Sequence, residues 1–172
     1  LLLKPRIHPK DAPVLTTIAA LAVKRAIAEV TGLMVKIKWP NDIIIQNKKV
    51  CGILTEIHAD LDIIHYVIVG MGINVNMEKD ELPKDIADTA TSILIALGNK
   101  VDRRQLIQKI MEEMEDIYEA HTKNYNLKPI LDECRRSSAT IGRRVKVMAR
   151  DRVIEGKAID LADDGALLVL KD

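Results

Sequence analysis

Hydrophobic and polar positions alternate in short runs through the first half of the chain. Val35, Ile37 and Trp39 fall on one side of an extended segment and Lys36 and Lys38 on the other, the pattern of a half-buried strand. Pro40 removes a ladder donor and ends that run. Asn41-Asp42 suits a turn, and the apolar, β-branched run 43–45 suits a short strand covered on both faces. Gln46-Asn47-Lys48 makes a hairpin connection into a strand that Lys49 opens and only Gly52 interrupts. Asp60-Leu61-Asp62 turns the chain into another apolar run, closed by Gly70-Met71-Gly72. The pattern predicts strands near 34–38, 43–46, 49–58 and 62–70.

Elsewhere the period is helical. Asp11 is the expected N-cap of a helix over 12–30, with Pro13 in its first turn. Leu15, Ile18, Ala22, Ala26 and Ile27 form its apolar stripe, and Gly32 stops it. An acidic loop with Pro83 covers 78–88. Thr89 or Thr91 is expected to cap a short helix that ends at Gly98. Asp102 caps a longer one, near 102–121, whose core side carries Leu106, Ile107, Ile110, Met114, Ile117 and Tyr118. Pro129 opens a last helix with Ile130, Leu131 and Cys134 inward. From Ile141-Gly142 onward, 144–149 and 153–161 alternate and 166–170 is apolar, with turns at Asp151 and Asp163-Asp164-Gly165. The fold class that follows is α/β, of the α+β type: a mixed sheet covered on one face by helices, plus a small all-β module. That module has too little core to stand alone and is expected to lean on the larger unit. We set the expected units at 1–138 and 139–172.

Composition narrows the picture. The 172 residues are 48% hydrophobic without any Phe, so the core is built from Ile, Leu, Val and Ala. A net charge of +1, with signs interspersed, gives no electrostatic case for nucleic acid or an anionic membrane. No apolar run reaches membrane-span length. The two cysteines, Cys51 and Cys134, have no metal or disulfide spacing, which points to a reducing, cytoplasmic setting.

The polar residues at the strand ends carry the candidate chemistry. Lys49 and Lys38 are positive charges beside apolar strands, suited to an anion, with a solvated hairpin lysine and an exposed strand face as their plain alternatives. Asn41 and Asp42 suit either a turn or a nucleotide–magnesium site, with Asp42 the one candidate metal ligand. Gly52, Gly70 and Gly72 let a flat ligand approach the backbone, with Ile53 beside the first of them. Asn74 offers an amide donor and acceptor, although a turn role like that of Asn76 is its plain alternative. Cys51 has no histidine partner in the pattern and is expected to be buried and inert. His8, His58, His65 and His121 are scattered and suggest no metal or triad. Gly70-Met71-Gly72 lacks the third glycine and the helix of a dinucleotide fingerprint.

Lys38-Trp39-Pro40-Asn41-Asp42, then Lys49-Val50-Cys51-Gly52-Ile53-Leu54, then Gly70-Met71-Gly72-Ile73-Asn74 resemble, in order and spacing, the catalytic domain of biotin protein ligases. The resemblance implies a class II synthetase-like core with an SH3-like C-terminal module. It also implies an enzyme that makes biotinyl-5′-AMP from biotin and Mg·ATP and passes biotin to a lysine of a carboxylase biotin-carrier domain. By the same resemblance, Lys49 contacts the biotin carboxylate and the adenylate phosphate, and Lys38 holds phosphate or the neighbouring loop. Gly52, Gly70 and Gly72 line the ligand pocket and Asn74 meets the adenine. A homodimer is a partner the resemblance allows, and nucleic acid is one only if a DNA-binding domain lies upstream. The rival readings are a lipoate–protein ligase, which shares the fold and the lysine chemistry, a non-enzymatic biotin-sensing regulator, and an inert fragment whose SH3-like module only makes protein contacts. The family's Gly-Arg-rich loop, upstream strand and helix do not occur in these residues. The chain is therefore expected to be a fragment and, alone, a poor catalyst.

Overall fold

The computed structural model describes residues 1–124, 126–149 and 152–171. The turn expected at Asp151 lies outside them. Five strands form the main sheet: β1 (Leu2–Leu3), β2 (Val35–Lys38), β3 (Asp42–Ile45), β4 (Lys48–Ala59) and β5 (Ile64–Ile73), in the order β1-β5-β4-β3-β2. Every pair of named neighbours is antiparallel. The parallel part of the expected mixed sheet is confined to two single bridges, Ile37 with Ser138 and Lys49 with Ala90. The β3–β4 hairpin turns through Gln46 and Asn47, both at positive φ, so the loop has two residues and Lys48 already opposes Ile45.

Helix α1 (Val14–Thr31) lies on one face of this sheet, against β2, β3, β4 and β5. The long helix α3 (Arg103–Asn124) packs on α1 rather than on the strands, and α4 (Lys128–Arg136) packs beside α1. Sandwiched in this way, α1 is buried nearly all round: Leu15, Ile18, Leu21, Val23 and Ile27 are closed off, and alanines at 19, 20, 22 and 26 let its neighbours approach. A single apolar stripe understates it. On α3 the buried stripe is instead narrower than the sequence suggests. Leu106, Ile110, Met114 and Ile117 are buried, Ile107 is 61% exposed, and His121 continues the stripe.

Helix ends follow local chemistry, with two corrections. Asp11 is not a cap: a 3₁₀ turn occupies Pro9–Asp11 and Pro13 precedes α1 without a side-chain cap. The short helix α2 (Ile93–Leu97) is capped by neither Thr89 nor Thr91 but by Ser92, whose hydroxyl accepts the Ile95 N–H at 3.0 Å. Gly32 and Gly98 end their helices with left-handed backbone, and Asp102 accepts the Arg104 N–H at 2.8 Å.

A second sheet holds β6 (Arg144–Ala149), β7 (Arg152–Leu161) and β8 (Leu167–Lys171), all antiparallel. A Cβ at Gly156 would lie 2.2 Å from the Leu170 carbonyl oxygen, so only glycine lets β8 close on β7. This sheet does lean on the rest of the chain. Its buried Ala158 and Leu161 are few, and ties across the junction supplement them. Arg135 of α4 donates to Asp160 at 2.8 Å and to the Leu161 carbonyl at 2.7 Å. The connecting segment pairs with β2: Ile37 donates to the Ser137 carbonyl and accepts from Ala139.

Candidate functional site

The face of the sheet opposite α1 carries the candidate residues. Register places Lys38, Asp42, Gly52 and Gly72 in one row across β2, β3, β4 and β5, each the Cα partner of the next. Gly70 opposes Leu54 two residues along β5, on the same face.

Simple alternation would put Lys49 and Gly52, three residues apart, on opposite faces. A β-bulge prevents this. Ile43 opposes Cys51 while Ile44 opposes Lys49, so Val50 is an extra residue. Lys49 thereby turns onto the Gly52 face, while Val50 and Cys51 are both buried. Its ammonium lies 2.5 Å from Asp42 Oδ1. A Cβ at Gly52 would stand 3.1 Å from both Cε and Nζ of Lys49, so the missing side chain is the space the lysine uses. The Lys49 side chain is 49% exposed, so the ammonium sits on an open face. Lys48 projects to the other face and reaches the Ala87 carbonyl at 3.4 Å, so it is not a purely solvated lysine.

The backbone of Lys49 is held from both sides. Besides Ile44, it pairs with segment 89–91: its N–H donates to the Thr89 carbonyl and its carbonyl accepts from Thr91 N–H, both at 2.8 Å. Sequence patterning missed this segment as a sheet element because it is too short to alternate.

The other candidates divide. Lys38 is exposed, faces Asp42 across the ladder, and makes no ion pair among the described residues. Asn41 donates its amide to the Ile53 carbonyl at 2.7 Å and accepts the Ile53 N–H on its own carbonyl, which locks the 39–41 turn against β4. Ile53 itself points into the core. Asn74 donates its amide to the Thr91 carbonyl at 3.0 Å, and its backbone carbonyl accepts from Ile93. Asn76 is more than a turn residue, because its amide both donates to and accepts from the backbone of Val101.

Asp42 is engaged with Lys49. Among the described residues no three His, Cys, Asp or Glu side chains group as a cation site would require. The described residues therefore do not make up a resident metal site. Burial pushes the Cys51 thiol up to about 12, which fits an inert cysteine. The histidines are less scattered than the sequence suggests: the His58 ring stacks on Tyr66 and lies 5.2 Å from that of His65. His121 is buried, and its Nδ1 has no partner among the described residues. It lines a cleft of about 1040 Å³ that also touches Trp39, Asn41, Thr55 and Asp163 but none of Lys38, Lys49 or Gly52.

A helix-backed antiparallel sheet that carries a lysine–aspartate pair over a glycine row, with a second small sheet beside it, makes this an α+β protein. Comparison makes it specific. Residues 1–74 match the Biotin/lipoate A/B protein ligase family and residues 140–172 the Biotin protein ligase C terminal domain. The chain is 30% identical to the apo biotin protein ligase of Aquifex aeolicus, with a TM-score of 0.89 over 100% of this chain and 73% of that one. The same enzyme in complex with biotin and ATP gives a TM-score of 0.87 at 29% identity, over 100% and 70% of the two chains. The bifunctional ligase/repressor BirA of Bacillus subtilis is 38% identical over 169 residues, 98% of this chain and 52% of that protein. The chain thus spans about half the length of the curated relatives it matches. It belongs to the biotin protein ligase family. Among the described residues, no helix is long and apolar enough to cross a membrane.

Proposed function

We propose that the protein is an ATP-dependent biotin ligase, which joins the biotin carboxylate to the α-phosphate of ATP with release of pyrophosphate and passes the biotinyl group to a lysine of a carboxylase biotin-carrier domain. The observation that carries this reading is Lys49, turned by the bulge onto the Gly52–Gly72 row and bound there to a carboxylate. That is the partner chemistry an acid substrate needs, and the glycine row leaves the sheet surface flat beside it. Residues 1–138 would carry the adenylation site and 139–172 the appended module. Lys49 and Lys38 supply positive charge where two anions must approach. Gly52, Gly70 and Gly72 form the floor, Asn74 fixes the segment beside Lys49, and magnesium enters on the nucleotide phosphates. In the transfer step the incoming lysine amine attacks the acyl carbon and AMP leaves, so no protein nucleophile is needed. A relative whose name reads bifunctional ligase/repressor keeps DNA binding as a second reading for a longer protein.

The test is isotope exchange between pyrophosphate and ATP, run on this chain and on the longest open reading frame that encodes it, with biotin or lipoate. Exchange driven by biotin supports the reading, and exchange driven only by lipoate transfers it to the rival ligase. Lys49→Ala removes a charge-assisted contact on a half-exposed group, so adenylation falls about ten- to a hundredfold. Lys48→Ala loses one long hydrogen bond and changes it by less than about threefold. Equal small losses for the two variants would remove Lys49 from the site.

A further inference from the structure

We propose that Asp42 is a positioning residue that exchanges partners: it holds Lys49 until a substrate carboxylate takes that lysine, and then turns to Lys38. The inference rests on the proposed ligase reading and adds to it a competition built into the site.

The geometry is a carboxylate between two cations. Asp42 is the Cα partner of Lys38 on one side and of Gly52 on the other. Lys49 crosses over Gly52 to reach Asp42 Oδ1, whereas Lys38, unpaired among the described residues, stands directly across the β2–β3 ladder. Without substrate, the carboxylate pairs with Lys49 alone, and the row carries one net positive charge. An arriving acid brings the second carboxylate, and two pairs can then form with no charge left over. Nothing in the backbone must move. The Asn41 amide and the bulge hold both strands, and only side-chain rotations separate the two arrangements. The Asp42–Lys49 contact is thus a stand-in for the substrate's own carboxylate. It keeps the Lys49 ammonium over Gly52, where the acid will find it, and the acid must displace it to bind.

The competition has a charge signature that a scaffold role lacks. Asp42→Asn keeps the shape and removes the competitor, so biotin binds about three- to fivefold tighter, the scale of a partly exposed ion pair. Biotin methyl ester, which has no carboxylate to exchange, binds the variant and the parent alike. Lys38→Met leaves Asp42 with Lys49 alone and weakens biotin binding by a similar factor. In the Asp42→Asn background the same Lys38→Met change has no further effect.

Titration calorimetry with the acid and the ester measures all of this on the longest open reading frame that encodes the chain. Tighter acid binding with unchanged ester binding supports the exchange; equal changes for acid and ester overturn it. If Asp42→Asn does not fold, ¹⁵N spectra of the lysine ammonium groups in the unaltered protein decide. Biotin must shift the Lys38 signal as well as that of Lys49, and a stationary Lys38 signal overturns the exchange. Acid binding that Lys49→Met leaves unchanged overturns the ligase site itself, an outcome distinct from failure of the exchange.

Discussion

Gly52 governs where the Lys49 ammonium can lie. Alanine there places a methyl group 3.1 Å from Lys49 Cε and Nζ, which are the free end of a flexible side chain. The lysine, not the backbone, yields. Gly52→Ala should therefore cost little stability, within about 1 kcal/mol, yet lift the ammonium off Asp42 and the glycine row. The expected result is a melting temperature close to that of the parent with biotin affinity reduced to near that of Lys49→Ala. A large loss of stability would mean instead that Gly52 serves the strand and not the lysine. The residue types that meet here were legible in the sequence, as lysine, aspartate and glycine at strand ends. Their arrangement was not. Period-2 counting sends Lys49 and Gly52 to opposite faces, and only the extra residue at Val50 brings them together. Asn74 and Asn76 look alike in sequence because either can turn a chain. The backbone groups they hold, at Thr91 and Val101, belong to segments with no pattern of their own.

At the scale of elements, the strands and long helices follow from apolar period and turn residues, whereas their stacking does not. Nothing in α3 says that it will sit on α1, since a helix stripe looks the same against a sheet or another helix. The contact is fixed by charge as well as packing. Arg25 of α1 donates to Glu113 of α3 at 3.2 Å and pairs with Glu133 of α4, which also meets Lys24 at 3.3 Å. The hydrogen bond from Arg25 is the main reason the Glu133 carboxyl sits below its usual 4.5, and the same pair holds the guanidinium even more firmly protonated. The sign follows from linkage. Because the folded-state value is depressed, Glu133 adds stability above about pH 4.5, and that contribution disappears as pH falls through the lower folded value. Arg25 stays charged throughout and adds no slope. Arg25→Gln should cost on the order of 1–2 kcal/mol at pH 7, allowing for a guanidinium side chain that is 36% exposed. It should also flatten the decline of stability below pH 4.5. Urea denaturation of both proteins at pH 7, 5, 4 and 3 checks both points. Parallel curves would show that other carboxylates, such as Asp132 and Asp160 beside Arg135, carry the acid sensitivity instead.

At the scale of the whole molecule, Trp39 joins the second sheet to the candidate site. It stands between Lys38 and the turn that delivers Asp42. Its backbone N–H donates to the Thr140 hydroxyl and its indole N–H to the Gly165 carbonyl, both at 3.0 Å. Gly165 belongs to the turn between β7 and β8. A shift of the second sheet is therefore felt first by the residue next to Lys38, and the small sheet gains one of its few anchors from the motif that shapes the site. Trp39→Phe keeps most of the ring and removes only the donor, leaving the Gly165 carbonyl without it. The cost is about 1 kcal/mol, or about 2–4 °C in melting temperature for a chain of this size. Because Arg135 ties α4 to β7, Ile37 pairs with the connecting segment and Trp39 reaches the β7–β8 turn, that loss should appear as a shift of one cooperative transition in a calorimetric scan. Hydrogen exchange should rise together at 163–166 and at 39–42. Two separate transitions, with only the smaller one displaced, would show that the second sheet melts independently. Trp39 would then be a local packing residue, and the site would not depend on where that sheet sits.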